Sequence, residues 1–364
     1  MMKLNFILPF FPLKPGGGCK IMYEYANRFG EKGYDVQIYH VTTLPYMKYK
    51  YPHWLRYLRN NILYIHSKPA WFTFNSQVKV TNIPFLENKY VRDADCSIST
   101  MWATAIKLDR LSKTKGKKIN LIQGYELWIG NNQKMLHHTY KLPMIHIVIS
   151  DFLADIVKRE SGISPNIIYN GIDNSVFYIK KEIKERNPYS VSMLYSTDEN
   201  KGTEYGLEAL KKCHDVFPKL KVELFGVYSK PLGLPDWMHY NQNPVDLCSI
   251  YNSTAIFFTP SNNEGWGLPA TEAMFCGCAL ICTNIEGYNV FAKDGDTCLT
   301  TLCRDSNDMS QKLLDLLRNS DKRIQIACRG HEFIQQYLQL IIPQYFISNK
   351  SGIWSLSLIV HSKG

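Results

Sequence analysis

Long apolar runs are missing from this chain of 364 residues. None of its segments approaches the roughly 18 consecutive apolar residues that a helix needs to cross a bilayer. The apolar stretch at 4–13 is broken by Pro9 and Pro12 and has no small-residue cleavage site, so it is not typical of a signal peptide. It fits a first strand that runs into a loop. We therefore expect a cytoplasmic protein that contacts the plasma membrane only peripherally, at its inner face.

Metal-binding and nucleotide-binding fingerprints are also missing. The ten cysteines form no C-x2-C pair, and several lie in apolar runs, where a reduced thiol behaves as a small apolar side chain. A disulfide framework is not expected in a cytosolic enzyme of this size. No G-x-G-x-x-G is present, and no Lys-Ser/Thr follows a glycine-rich loop, which excludes dinucleotide-binding and P-loop proteins. The sequence predicts neither a metal site nor a bound cofactor.

Acidic residues are scarce in the first half of the chain. Residues 1–170 hold 23 lysines and arginines against 11 aspartates and glutamates, whereas the remainder holds 19 against 21. Basic and aromatic residues mix most densely at 46–59, a composition typical of segments that rest on lipid headgroups. The charge predicts an anionic membrane surface as a partner, with a solvated basic face as the alternative. No nucleic-acid-binding module is recognisable, so we expect no nucleic acid partner.

Apolar runs that fit buried strands alternate with segments of helical periodicity. Hydrophobic residues make up 45% and charged residues 20% of the chain, values typical of a globular protein, and the length predicts two domains. The predicted strands lie at 4–8, 36–39, 96–99, 119–122, 145–149, 191–195, 222–225, 255–259 and 278–282. Strands that alternate with helices indicate parallel sheets. The fold class is therefore α/β, with one domain at 1–170, a second at 171–337 and an atypical tail at 338–364.

The segment 262–274 is the most informative part of the sequence. It follows an apolar run, and Pro269 suits the first turn of a helix. It places two carboxylates eight residues apart, with Glu264 in a glycine-rich turn and Glu272 within the predicted helix. Ligands of parallel α/β sheets bind beyond the carboxyl ends of the strands, which is where such a turn lies.

This turn offers ligand groups of two kinds. The predicted helix N-terminus, which favours phosphate oxygens, presents the backbone N–H groups of Gly265, Trp266, Gly267 and Leu268. A carboxylate, in turn, accepts paired hydrogen bonds from the vicinal hydroxyls of a sugar. Two carboxylates around such a turn would bracket a nucleotide sugar, one at each sugar ring. The alternative is a structural capping segment in another kind of α/β enzyme.

With these residues the chain resembles the retaining glycosyltransferases of the GT-B fold in family four, the glycosyl transferases group 1. Glu264 and Glu272 match the family's Glu-x7-Glu signature. The resemblance implies two Rossmann-like domains that face each other across a cleft, an acceptor-side domain first and a donor domain second. It also implies that Glu264 contacts the hydroxyls of the transferred hexose and that Glu272 contacts the ribose of a nucleotide diphosphate sugar.

Other positions match the family's phosphate-binding groups. Lys201 corresponds to the lysine that neutralises the donor phosphates, and we assign it to the catalytic set with Glu264. Gly17 and Gly18, in the loop after the first strand, correspond to the backbone that faces the donor diphosphate, although a plain turn explains this loop as well. Many relatives carry arginine five residues before the lysine, and here that residue is Ser196. One cationic contact is therefore missing or supplied from elsewhere.

Three more residues are predicted to lie at the cleft. Tyr125 and Glu126 belong to a Gln-Gly-Tyr-Glu run similar to one in some surface-polysaccharide transferases, and they would orient the donor sugar or the acceptor hydroxyl. Asn170 lies in a turn that the family places between the domains. A solvated strand-end turn and a hinge explain these residues equally well.

The Asp-Ala-Asp run at 93–95 resembles the metal motif of GT-A transferases, where a divalent ion bridges the diphosphate. Here the run precedes a short predicted strand and lies far from every other donor motif. We interpret it as a helix-end and strand-start feature.

These observations predict a metal-independent hexosyltransferase that extends a surface glycan, such as a capsule, an O-antigen or a lipid-linked oligosaccharide. The family resemblance implies front-face attack, in which a phosphate oxygen takes the proton of the acceptor hydroxyl. One alternative is a sugar-nucleotide epimerase of the same fold. The other is a catalytically idle, membrane-associated scaffold that still binds a nucleotide sugar.

Overall fold

The computed structural model describes residues 1–44, 51–59, 67–127 and 132–337. The tail at 338–364, predicted as atypical or as returning to the first domain, lies outside the described residues, as do residues 46–50 of the basic and aromatic segment. Among the described helices, none combines the length and the apolar content that crossing a bilayer requires.

A parallel sheet of seven strands organises the first half of the chain. The strands are β1 Lys3–Leu8, β2 Asp35–Val41, β3 Val78–Ile83, β4 Cys96–Thr100, β5 Lys117–Ile122, β6 Ile145–Val148 and β7 Asn166–Ile167. Their order across the sheet is β3-β2-β1-β4-β5-β6-β7, and each pair of neighbours runs parallel. The central strands are buried on both faces because helices cover the sheet, which is why they appear as continuous apolar runs.

The described helices of this half are α1 Gly17–Glu31, α2 His53–Arg59, α3 Trp102–Asp109, α4 Gln133–Thr139 and α5 Asp151–Ser161. In α1 the residues of one apolar face are buried, as expected for a helix that packs on a sheet: Ile21, Met22, Tyr25, Ala26 and Phe29. The opposite side of α1 is polar and is available to the second domain.

A second parallel sheet, of six strands, organises the other half. The strands are β8 Ser190–Leu194, β9 Lys221–Gly226, β10 Met238–Gln242, β11 Ile256–Thr259, β12 Ala279–Thr283 and β13 Cys298–Thr301, in the order β10-β9-β8-β11-β12-β13. The described helices are α6 Thr203–Val216, α7 Leu247–Ser253, α8 Leu268–Phe275, α9 Ser306–Arg318 and α10 Ser320–Tyr337. The predicted α/β class with two parallel sheets is confirmed. The boundary between 1–170 and 171–337 stays a prediction, since β7 ends before it and β8 begins after it.

Every strand predicted from an apolar run is present, with ends shifted by at most two residues. The strands that were not predicted are β3, β7, β10 and β13, and these are the four edge strands of the two sheets. An edge strand is less covered than a central one and so has less need of continuous apolar residues. In β10, for example, exposed and buried residues alternate.

A buried guanidinium ties the start of the second domain to two helix ends. Arg186 is only 3% exposed, and it donates hydrogen bonds to the carbonyls of Lys181, Tyr251, Thr254 and Cys276 and to the Asn252 side chain. Thr254 and Cys276 are the C-cap residues of α7 and α8. A cation at two helix C-termini satisfies carbonyls that have no partner within the helices.

We expect Arg186→Met to lower the free energy of unfolding by about 3 kcal/mol or more, because several buried carbonyls lose their donor at once. Lys184→Met, at an exposed position two residues earlier, should change it by less than about 0.5 kcal/mol. Denaturant unfolding of the two variants measures the difference. Equal stabilities would show that the carbonyls find other donors.

Candidate functional site

The loop between β11 and α8 lies at the carboxyl end of the second sheet. Helix α8 begins at Leu268 and has Pro269 in its first turn, as the sequence predicts. At Gly267 φ is +89°, and a Cβ there would lie 2.3 Å from the Cε1 atom of Tyr288, so only glycine fits. This sharp turn brings Glu264 and the first turn of α8 to the same edge of the sheet.

Glu264 is held within its own domain. Its Oε1 atom accepts hydrogen bonds from Lys201 Nζ at 2.6 Å and from Ser261 Oγ at 3.1 Å. Its side chain is 14% exposed, so the ion pair is largely shielded from water without being closed off. The sequence predicts Lys201 and Glu264 separately, 63 residues apart, and the structure brings them into direct contact.

Glu272, in the second turn of α8, is held by groups from both domains. Its Oε1 atom accepts from Lys20 Nζ of α1 at 2.8 Å, and its Oε2 atom accepts from the Tyr251 hydroxyl at 3.2 Å. Its side chain is only 5% exposed. Burial lowers the pKa of Lys20, but the charges around it, above all the Glu272 carboxylate and its hydrogen bond, raise it more, so the net pKa lies above its ordinary value. Each oxygen of Glu272 thus has a partner already.

Gly17 and Gly18, which the sequence predicts in a loop, are instead the first two residues of α1, and they meet the signature turn of the second domain. A Cβ on Gly17 would lie 3.3 Å from Leu268 Cδ1, and a Cβ on Gly265 would lie only 2.1 Å from the carbonyl oxygen of Gln123. Gln123 Nε2 in turn donates to the Gly18 carbonyl at 3.0 Å. The start of α1, the end of β5, the Gly265 turn and the start of α8 therefore meet at one place, which we call the interdomain cleft.

Trp266 and Asn170 are both buried, each 2% exposed. The Trp266 ring packs between Tyr169 and Phe291, with ring centroids 5.8 Å apart in each case. Because this side chain is enclosed, Trp266 can offer a ligand only its backbone. Among the described residues, the Oδ1 atom of Asn170 is buried without a hydrogen-bond partner. The capacity of this oxygen to accept a hydrogen bond is therefore unused.

Tyr125 and Glu126 lie in different surroundings. The Tyr125 hydroxyl is 2.8 Å from His137 Nε2, and His137 Nδ1 is 2.9 Å from Glu160 Oε2, which makes a hydrogen-bonded chain across α4 and α5. Glu126 instead accepts from the Trp102 backbone N–H at 3.0 Å, and burial raises its pKa to about 7. It lines a small cavity of the first domain.

Two groups that hold Glu272 were not found from the sequence. The sequence does indicate that Lys20 could lie at the site, because it follows Gly18 by two residues. It also shares one side of α1 with Glu24 and Arg28, at a spacing of four residues. Nothing in the sequence indicates that Tyr251 contacts Glu272, because an aromatic residue in a short helix is usually part of the core.

Ser196, which replaces the arginine of many relatives, forms a turn. Its N–H donates to Thr203 Oγ1 at 3.1 Å, and its Oγ accepts from the Asp198 N–H at 3.1 Å. The residue therefore contributes to the local fold before α6 and brings no positive charge to the cleft.

The two aspartates at 93–95 are engaged in local contacts. Asp93 Oδ1 lies 2.8 Å from Lys115 Nζ, and Asp95 Oδ2 accepts from the Lys3 backbone N–H at 2.7 Å, just before β4. These contacts agree with a strand-start feature, but the predicted helix end is wrong, because residues 84–95 between β3 and β4 form turns and bends and no helix. In the part of the chain that the structure describes, no group of three or more His, Cys, Asp and Glu side chains is placed to share a metal ion.

Comparison with known proteins gives matches in sequence and in fold. Residues 177–333 match the family model described as glycosyl transferases group 1. An uncharacterized glycosyltransferase of Methanocaldococcus jannaschii is 23% identical over 199 residues, which are 52% of this chain and 54% of that protein. The N,N'-diacetylbacillosaminyl-diphospho-undecaprenol alpha-1,3-N-acetylgalactosaminyltransferase of Campylobacter jejuni is 26% identical over 110 residues, 30% of this chain and 29% of that protein. The chain spans about half, or less, of the length of these curated relatives.

Among solved structures, HepE of Anabaena in complex with UDP and glucose superposes with a TM-score of 0.69 at 15% identity. The superposition covers 93% of this chain and 96% of HepE. Such a likeness shows the fold, which is the GT-B arrangement of two Rossmann-like domains.

We expect Gly265→Ala to loosen the interdomain cleft without unfolding the second domain. The φ of Gly265 lies outside the left-handed region, so alanine is compatible with the backbone, but its Cβ would collide with the Gln123 carbonyl. Hydrogen–deuterium exchange should become faster at the end of β5 and at the start of α1. Gly124→Ala, which would place its Cβ in open space on the opposite side, is the matched control. Identical exchange in the two variants would contradict the close contact.

Proposed function

From the match of residues 177–333 to the family model of glycosyl transferases group 1 and from the GT-B fold, we propose that this protein is a retaining transferase that moves a hexose from a nucleotide diphosphate sugar to a glycan acceptor. The observation that carries the proposal is the meeting of Glu264, Lys201 and the glycines at the start of α1 at the interdomain cleft. Carboxylates for sugar hydroxyls and a cation for phosphate are the groups that such a donor requires.

The donor is proposed to lie across the start of α8. The backbone N–H groups at 265–268 and the α8 N-terminus favour the diphosphate, and Lys201 adds a positive charge beside it. Glu264 would exchange its contact with Lys201 for hydroxyls of the hexose, and Glu272 would hold the ribose. The UDP and glucose bound by HepE support a nucleotide sugar as the ligand class.

The proposed reaction is a front-face substitution. The acceptor hydroxyl oxygen forms a bond to the anomeric carbon on the face from which the diphosphate departs, and the bond between that carbon and the phosphate oxygen breaks. The electron pair of the broken bond goes to the diphosphate, and the acceptor proton goes to a phosphate oxygen. Lys201 and the helix N-terminus stabilise the charge that develops on the leaving group, so the proposed reaction depends on neither an added metal nor a cofactor.

The acceptor is proposed to be a surface glycan or a lipid-linked oligosaccharide bound by the first domain. The chain Tyr125–His137–Glu160 fixes a phenol hydroxyl next to the Gln123–Gly124 backbone that touches the second domain. The Campylobacter relative, whose name specifies a diphospho-undecaprenol substrate, supports an acceptor of this class.

A donor screen tests the proposal. Purified protein is incubated with a panel of nucleotide sugars, and nucleotide release is followed with and without EDTA and with lipid-linked acceptors. We expect release from one donor, unaffected by EDTA, and a loss of about 100-fold or more in Glu264→Ala because transition-state contacts are lost. Glu286→Ala, an exposed glutamate in a neighbouring loop, is the control.

The screen also separates the alternatives. Nucleotide binding without turnover under every acceptor condition would favour an idle scaffold. Release of free sugar with inverted stereochemistry at a ring carbon, in the absence of any acceptor, would favour an epimerase. Full activity of Glu264→Ala would refute the proposed site.

The first domain is further proposed to bind the inner face of the plasma membrane. On α2 the side chains of Trp54, Leu55 and Leu58 are 64%, 42% and 45% exposed, and their spacing places them on one side of the helix. Arg56 on the same helix donates to the Thr42 carbonyl, which fixes α2 to the end of β2. Exposed aromatic and aliphatic groups on a basic domain are typical of interfacial binding.

We expect the protein to cosediment with vesicles that contain phosphatidylserine, and less with vesicles of phosphatidylcholine alone. Trp54→Ala with Leu58→Ala should weaken this binding about tenfold, because two apolar side chains no longer enter the interface. Leu232→Ala, a fully exposed leucine of the second domain, is the matched control. Unchanged cosedimentation of the double variant would contradict the assignment of α2.

A further inference from the structure

The two signature carboxylates are each paired with a lysine, and the two lysines come from different domains. Lys201 pairs with Glu264 inside the second domain, and Lys20 of the first domain pairs with Glu272 at 2.8 Å. As they stand, the four charges cancel. An anionic diphosphate that enters this site needs positive charge. The two lysines carry that charge, but each of them is already paired with a carboxylate.

The Glu272 side chain is only 5% exposed, so the vicinal hydroxyls of a ribose can reach its carboxylate only where one of its two partners moves away. Tyr251 is fully buried and packs edge-on against the Phe257 ring, so its hydroxyl is fixed. Lys20 is 32% exposed and sits on a flexible four-carbon stem. Lys20 is therefore the partner that must leave when vicinal hydroxyls take its place.

The released ammonium lies close to the proposed diphosphate position. Lys20 follows Gly17 by less than one helical turn, and Gly17 itself faces Leu268 at the start of α8. Further along α1, Arg28 pairs with Asp173 of the connection between the domains. The helix therefore stays attached to that connection when Lys20 changes partner, and its first turn remains at the cleft.

We propose that Lys20 is a ligand of the donor diphosphate, exchanging Glu272 for a phosphate oxygen when the ribose binds. This inference rests on the proposed function and adds a residue of the first domain to the donor site. It supplies the cation that Ser196 does not provide, and it keeps the two domains linked, now through the donor, after the direct contact of Lys20 with Glu272 is lost.

Binding of nucleoside diphosphates and of the matching nucleosides to Lys20→Met tests the proposal. UDP with uridine, GDP with guanosine and dTDP with thymidine are titrated by calorimetry and by ligand-observed NMR. We expect the diphosphate that the wild-type protein binds to weaken about 10-fold or more, because a charged hydrogen bond is lost. The nucleoside should bind equally well or more tightly, since Glu272 is no longer occupied. Lys20→Arg should restore most of the diphosphate affinity.

Lys32→Met, which removes an exposed lysine at the other end of α1, should leave both affinities unchanged. Diphosphate binding by Lys20→Met as tight as in the wild type, or tighter, would show that Lys20 only blocks Glu272 and would overturn the inference alone. Equal weakening of nucleoside and diphosphate would assign Lys20 a purely structural role and would also overturn it. If the wild-type protein binds none of the nucleoside diphosphates, the proposed function fails and the inference fails with it.

Discussion

The close backbone approach at Gly265 is the constraint on which the arrangement of the site depends. With no Cβ at this position, the signature turn reaches the Gln123 carbonyl, and the carboxyl ends of the two parallel sheets come together. Ligand sites of parallel sheets lie at those ends, so closing one sheet end onto the other makes a cleft with functional groups on both walls. The contact thereby determines which side chains of the first domain can reach Glu272 in the second.

Electrostatics inside this cleft are balanced by exchangeable pairs. Lysine and glutamate side chains pair at 2.6 and 2.8 Å, and both lysines are partly exposed, at 26% and 32%, so a polar ligand can compete for them. A donor with hydroxyls for the carboxylates and phosphates for the ammonium groups would replace both pairs without leaving any of the four groups without a hydrogen-bond partner. The same four groups can thus pair with one another and recognise a nucleotide sugar.

The strands that the sequence predicted and those that it did not predict differ in how far they are buried. Central strands such as β1 and β11 are buried on both faces, so they need continuous apolar residues and are visible as such. Edge strands such as β3 and β10 have one uncovered side, and their mixed composition resembles that of a loop. The buried Arg186 is similarly unremarkable as a residue type, and its partners are backbone carbonyls that have no sequence signal.

At the site itself, local sequence accounts for the turn geometry and the local chemistry. The glycines, Pro269 and the spacing of Glu264 and Glu272 lie within one strand–turn–helix unit, and backbone conformation and helix periodicity act over a few residues. The partner of each carboxylate, in contrast, follows from the packing of segments that are distant in the sequence. The pair formed by Lys20 and Glu272 joins residues 252 positions apart. Such a contact depends on how two separately folded sheets pack against each other, and no local pattern encodes that packing.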